Sequence, residues 1–154
     1  YIIIMKSLSK AYDPFNAYNI ALKKIEDSGI IPTKQRRILA KILFQKGNRH
    51  ISAENLFDEV KKEDRKISMA TIYNTLKQFT NLGLIREIVV DKNKSLYDTN
   101  NKPHYHLYIE DEGKVHDIPT NNVNLDLPSI PACLNLHNID VIVRVRSLKN
   151  NKKS

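Results

Sequence analysis

The sequence predicts an α+β fold in two parts: a helical N-terminal domain closed by a β-hairpin, then a smaller β-rich domain. Three observations predict it. Between residues 14 and 83, apolar residues recur at three-and-four spacing in four runs, and Gly29, Gly47 and Gly83 end three of them. After Gly83 the pattern changes to LIREIVV and SLYDT, β-branched runs around the turn DKNK. Proline usage then rises, from Pro14 and Pro32 in residues 1–100 to Pro103, Pro119, Pro128 and Pro131 in the remaining 54. These shifts set boundaries at 6–100, 101–148 and 149–154, the last a basic tail with Lys149, Lys152 and Lys153.

The first helix is expected from Pro14 to Ser28, with Phe15, Ile20, Leu22 and Ile25 as apolar contacts. The second starts after Thr33, a capping residue, and carries Ile38, Leu39, Ile42 and Leu43. Lys34, Arg36 and Arg37 crowd its first turn, where the helix dipole disfavours cations, so charge there suits a phosphate. A third helix starts at Ser52, with Ile51 and Leu56 as a hydrophobic staple and Phe57 and Val60 continuing the stripe. The charged loop KKEDRK leads into the fourth, SMATIYNTLKQFTNLG, residues 68–83.

In that fourth helix Met69, Ile72, Leu76 and Phe79 share one stripe. Ala70, Asn74, Lys77 and Asn81 lie opposite, with Tyr73 and Gln78 on the flanks. Ser68 can cap its start, Ile67 and Ile72 can staple it, and Gly83 supplies a left-handed stop. The outer face carries amides, hydroxyls and an ammonium group and no acid. Such groups meet base edges and phosphates in a major groove, although a core helix with a solvated polar face fits this stretch alone equally well. Helices followed by a hairpin make a winged helix-turn-helix, with Lys92 and Lys94 at the hairpin tip placed for phosphate contact.

In the second domain HYHLYI and KVHDI read as strands joined by EDEG, and NIDVIVRVR reads as the strongest strand of the chain. Thr120 to Leu134 is polar and proline-broken, which excludes a long helix there. So small a unit buries little surface alone, so it is expected to pair with a copy of itself. A two-fold homodimer would present two reading helices to a palindromic duplex.

The net charge of +8 is uneven: +7 falls in residues 1–100 and +1 in residues 101–154. The excess accompanies the fourth helix, as expected if that half meets a polyanion. A single cysteine, Cys133, excludes an internal disulfide and a multi-cysteine zinc site within one chain, and points to the cytoplasm. The opening YIII is too short to span a membrane, so no membrane partner is expected. Tyr1 at the first position points to Met5 as the start, and residues 1–5 are left out of the fold reading.

Of five histidines, His104 and His106 flank Tyr105 on a predicted strand, so alternation puts both imidazoles on one side. Asp98 precedes them by six residues, and Asp117 on the next strand can return toward them by hairpin pairing. Imidazole with carboxylate suits Fe(II), Mn(II) or Zn(II), and imidazole alone also ligates haem iron. Surface or packing roles are the commoner fate of such a pair. No nucleophile elbow, phosphate-binding glycine loop or metalloprotease motif is present, so an enzyme is not expected.

GIIPTKQRRILAKILF, RHISAENLFDEV, ISMATIYNTLKQFTNLGLI and the HYHLYI…GKVHDI pair together resemble the ferric uptake regulator family over residues 14–118. IYNTLKQFTNLGL, YDTN and the terminal IDVIVRVR resemble its iron response regulator branch most closely. The resemblance implies a dimeric iron- or haem-responsive transcription factor, a repressor, with a dimerisation domain after the winged helix. It implies a metal site at His50, Asp98, His104, His106 and Asp117, spanning the hinge, and DNA contacts from Tyr73 with Thr71, Asn74 and Lys77 beside it. Three departures stand out. The structural zinc site of paired cysteines is absent, with Ile109 and Glu112 in place of its first pair. Pro103 and Tyr105 replace ligands of a second metal site, and a proline-broken loop replaces the long dimerisation helix. The Cys-Pro haem motif of some branch members is also missing, since Leu134 follows Cys133. A peroxide- or manganese-sensing regulator of the same family is the alternative, compatible with Asp at 117; a winged-helix interaction module without DNA affinity is a more distant one.

Overall fold

A computed structural model describes residues 13–63 and 65–148. The tail at 149–154 and the start at Met5 lie outside the described residues. The chain divides between Asn101 and Lys102 into two compact units.

The first unit contains α1 (Pro14–Asp27), α2 (Lys34–Phe44), the short strand β1 (His50–Ile51), α3 (Ala53–Lys62), α4 (Met69–Asn81), β2 (Arg86–Asp91) and β3 (Lys94–Asp98). Each helix start is capped by a side chain that accepts from a backbone N–H: Asp13, Thr33, Ser52 and Ser68. Ile25, Leu39, Leu43, Leu56, Val60, Ile72, Leu76 and Phe79 form the centre of one core. At about 25 cal/mol per Å² of apolar surface removed from water, this burial is what holds four short helices together. Two expected contacts of α1 differ. Phe15 and Ile20 are exposed, whereas Ile25 is buried and Leu22 packs against the core as expected, and Ala21 joins them. The helical period brings Ala17, Tyr18 and Ala21 to the core side in their place.

The wing has three strands, not two, in the order β1-β3-β2, all antiparallel. The added strand is only two residues long, too short for alternation to register in sequence. Its pairing sets His50 directly opposite Asp98. The β2–β3 turn is the pair Lys92–Asn93, tighter than DKNK suggests, with an irregularity between Val89 and Asp91.

The second unit contains β4 (His104–Ile109), β5 (Lys114–Pro119), a 3₁₀ turn at Thr120–Asn122 and β6 (Ile142–Val145). Its sheet has the order β5-β4-β6, with β4 and β5 antiparallel and β6 parallel to β4. The stretch read as the strongest strand is thus reduced to four residues, and none of Ile139, Val141, Val143 and Val145 is fully buried. A strand forms only as far as a partner is present, and β6 has β4 on one side alone. As expected from the prolines, no long helix forms among residues 120–134.

Candidate functional site

The face of α4 that the core stripe leaves outward carries Tyr73, Asn74 and Lys77 exposed, with Thr71 half-buried. Beside it, a groove between α4 and the start of α2 is lined by Thr33, Gln35, Arg36, Thr71, Asn74, Lys77, Gln78 and Asn81. Amides, hydroxyls and two cations dominate this lining, the donor and acceptor set that base edges and phosphates require. Gln35 and Asn81 belong to the groove but were not among the expected contacts; α2 supplies Gln35 at its first turn, invisible until the two helices pack. Arg36 carries a second duty. Its Nε donates to Gln78 Oε1 at 2.8 Å and an Nη to the Ile31 carbonyl at 2.7 Å, which ties α2 to α4. Lys34, Lys92 and Lys94 are exposed.

The acid-free reading of this face needs correction. Glu54, in the first turn of α3, accepts a 2.6 Å hydrogen bond from the Tyr73 hydroxyl. That bond is the main reason the Glu54 carboxyl lies below its ordinary value and the Tyr73 phenol above its own. Nearby Tyr97 is pushed up to about 12, chiefly by burial and then by the charges of Glu87, Tyr73 and Glu54.

The expected metal donors fall into two groups, one on each unit. In the first unit His50 Nε2 lies 3.8 Å from Asp98 Oδ1, and Asp98 is fully buried. Thr99 clamps this pair into register: its N–H donates to the Arg49 carbonyl, while its Oγ1 accepts from the Arg49 N–H at 3.0 Å. Asp98 Oδ1 also accepts from the Asn100 N–H at 2.7 Å. A carboxylate out of water costs several kcal/mol unless cations or donors surround it.

In the second unit β4 alternation buries both His104 and His106, and the β4–β5 register sets Asp117 opposite His106. His104 Nδ1 faces the Lys102 carbonyl at 2.6 Å. A carbonyl only accepts, so Nδ1 carries the proton and Nε2 of a neutral imidazole keeps its lone pair. That Nε2 lies 2.9 Å from His106 Nε2 and 3.5 Å from Asp117 Oδ1. A ring N–H fixed on a carbonyl with the opposite nitrogen presented is how proteins orient a metal-ligating imidazole. These donors therefore fit a small divalent ion. They do not fit a haem held between them: Nε2 atoms 2.9 Å apart leave no space for a porphyrin plane, and the haem expectation gains no support.

A comparison with known families matches residues 27–144 to the ferric uptake regulator family. The chain belongs to that family. A peroxide-responsive repressor, PerR, of Staphylococcus aureus strain Mu50 is 29% identical over 104 residues, covering 68% of this chain and 70% of the relative. The ferric uptake regulator of Pseudomonas aeruginosa, solved with manganese, superposes with a TM-score of 0.66 at 20% identity, over 84% of this chain and 99% of that one. A Campylobacter jejuni peroxide stress regulator superposes with a TM-score of 0.57 at 25% identity, over 84% and 97%. This ferric uptake regulator family protein is accordingly a DNA-binding, metal-binding transcription regulator, and regulators of the family act as dimers. Among the described residues no helix is long and apolar enough to cross a membrane.

Proposed function

We propose that the chain is a cytoplasmic, metal-responsive repressor that binds a palindromic duplex as a homodimer. In this reading the residues that the family resemblance assigns, His50 and Asp98 on the first unit and His104, His106 and Asp117 on the second, serve as ligands for a divalent ion, iron, manganese or zinc. The orientation of His104, proton on Nδ1 and Nε2 toward His106 and Asp117, is the observation that carries it. A bound ion supplies concentrated positive charge. An ion shifts DNA affinity only as far as it binds the DNA-competent form of the protein more tightly than the other. Tyr73, Thr71 and Asn74 then read base edges, while Lys77, Lys34, Arg36, Lys92 and Lys94 meet phosphates.

Duplex binding followed by fluorescence anisotropy tests this, with the protein loaded with manganese, iron(II) or zinc and then chelated. Chelation is expected to weaken binding by about tenfold or more, the usual scale of a coupling free energy. A His104→Ala/His106→Ala chain should remain dimeric and ignore the metal; metal dependence that survives the double replacement overturns the assignment.

A peroxide-responsive reading has its own support in the similarity to PerR and in Asp117. Loss of DNA binding when the iron(II)-loaded protein, but not the manganese-loaded protein, meets hydrogen peroxide would select it. A Soret band lost on His104 replacement would bring haem back, and absence of any salt-dependent duplex binding would favour an interaction module instead.

A further inference from the structure

The Glu54–Tyr73 contact has no counterpart in the metal site or the groove. Tyr73 is 45% exposed on the outer face of α4, and its hydroxyl is the end of that side chain farthest from the helix. Glu54 comes from another helix, nineteen residues earlier, and its charge is favoured at the α3 N-terminus by the helix dipole. At 2.6 Å the bond has the length of a charge-assisted O–H···O⁻ pair. Both helices are anchored in the core, α3 through Leu56 and Val60, α4 through Ile72, Leu76 and Phe79. The backbone on either side of the bond is therefore fixed, and the bond restricts the two torsions of an otherwise exposed phenol.

A carboxylate on a surface meant for a polyanion is costly, since it repels every phosphate equally. Its presence there needs a gain that phosphate contact cannot supply. Ordering an aromatic side chain before binding is such a gain, because immobilising a rotamer-rich side chain is part of the cost of association. We propose that Glu54 is a positioning residue for Tyr73, holding the phenol in the orientation that reads sequence at the expense of affinity for duplex in general. This rests on the DNA-reading role of α4 proposed above.

The test uses the full, manganese-loaded chain and two duplexes: one selected from a random library by the wild-type protein, one of scrambled sequence. The wild-type preference between them is the readout. Glu54→Ala should lower that preference about tenfold while leaving or raising affinity for the scrambled duplex, a loss of the size of one hydrogen bond to a charged group. Glu54→Gln keeps an acceptor for the hydroxyl without the charge, and should retain the preference within about threefold. Tyr73→Phe should cost as much as Glu54→Ala, and combining the two should cost no more, since one acts through the other. Thermal midpoints should fall only slightly, and alike in Glu54→Ala and Glu54→Gln, since both remove the same charge from the start of α3.

Equal gains on both duplexes for Ala and Gln would show a purely repulsive charge and overturn the assignment. So would an undiminished effect of Glu54→Ala in the Tyr73→Phe chain. A wild-type protein that binds both duplexes alike removes the reading role of α4 and this assignment with it, whereas a normal wild-type preference untouched by Glu54→Ala removes this assignment alone.

Discussion

At the scale of single residues, charge placed in the fold acts through its neighbours. Glu59 shows this in the first unit. Burial alone would raise its carboxyl, but hydrogen bonds and charges from Arg49 and Lys46 outweigh burial, and the net shift is downward. Both its oxygens accept from Arg49 Nη2 at 3.0 Å, and Lys46 Nζ adds a third bond at 3.0 Å. A carboxyl with a lowered folded value stabilises above its ordinary pKa of about 4.3 and loses that contribution as pH falls through the folded value. Glu59→Gln should therefore lower the melting temperature at pH 7, by the equivalent of up to about 1 kcal/mol for a network still partly open to solvent. The gap to wild type should close as both are brought to pH 3; a gap that persists there would place the loss in packing rather than charge. Residue-level legibility divides along the same line. The shared side of His104 and His106 follows from alternation two apart, a local rule. The Glu54–Tyr73 and Arg36–Gln78 pairs span nineteen and forty-two residues, and only the packing of α3 and α2 on α4 brings them together.

Elements were legible where their signals were local and redundant. The organising helix α4 carries a capping serine, a staple, an apolar stripe and a stop, and each agrees with the others. Its stop is the sharpest of these. Gly83 has φ +62°, and the Gly83 and Leu84 N–H groups return to the Thr80 and Phe79 carbonyls at 2.9 Å. A Cβ there would meet only Lys24 Nζ at 3.5 Å, an ordinary contact, so the obstacle to a side chain is the backbone conformation alone. Gly83→Ala should cost about 1 kcal/mol, seen as a lowered urea midpoint at unchanged slope. A neutral outcome would mean that α4 ends by another route. Strands were read less well because their extent depends on partners. Two residues suffice for β1 because β3 is beside it, whereas the long alternation of NIDVIVRVR yields only the four residues that β4 can bond.

For the whole molecule, charge and apolar surface divide between the halves in the way a dimeric DNA-binding protein requires. The positive excess sits with the helical unit. The second unit instead presents an extended segment after the 3₁₀ turn on which Leu125, Leu127, Ile130, Leu134 and Leu136 are all exposed, at 40–60%. Five large apolar side chains within twelve residues exceed the scattered exposure usual on a monomer. Nothing in their own sheet covers them, since it is complete with β5, β4 and β6. The prolines forbid a helix here, but in sequence a solvated loop and an apolar one waiting for cover look alike. Because regulators of this family act as dimers, a second copy is the cover expected, self-paired about a two-fold axis. Leu127→Asp with Leu136→Asp should then convert the protein from dimer to monomer in light scattering at micromolar concentration, with helix content unchanged. Each unit would still carry its metal donors, but a single reading helix would remain per particle, so affinity for a palindromic duplex should fall by two or more orders of magnitude as the avidity of paired half-sites is lost. A charged double variant that stays dimeric would place the interface elsewhere, on the free edge of β5 or β6.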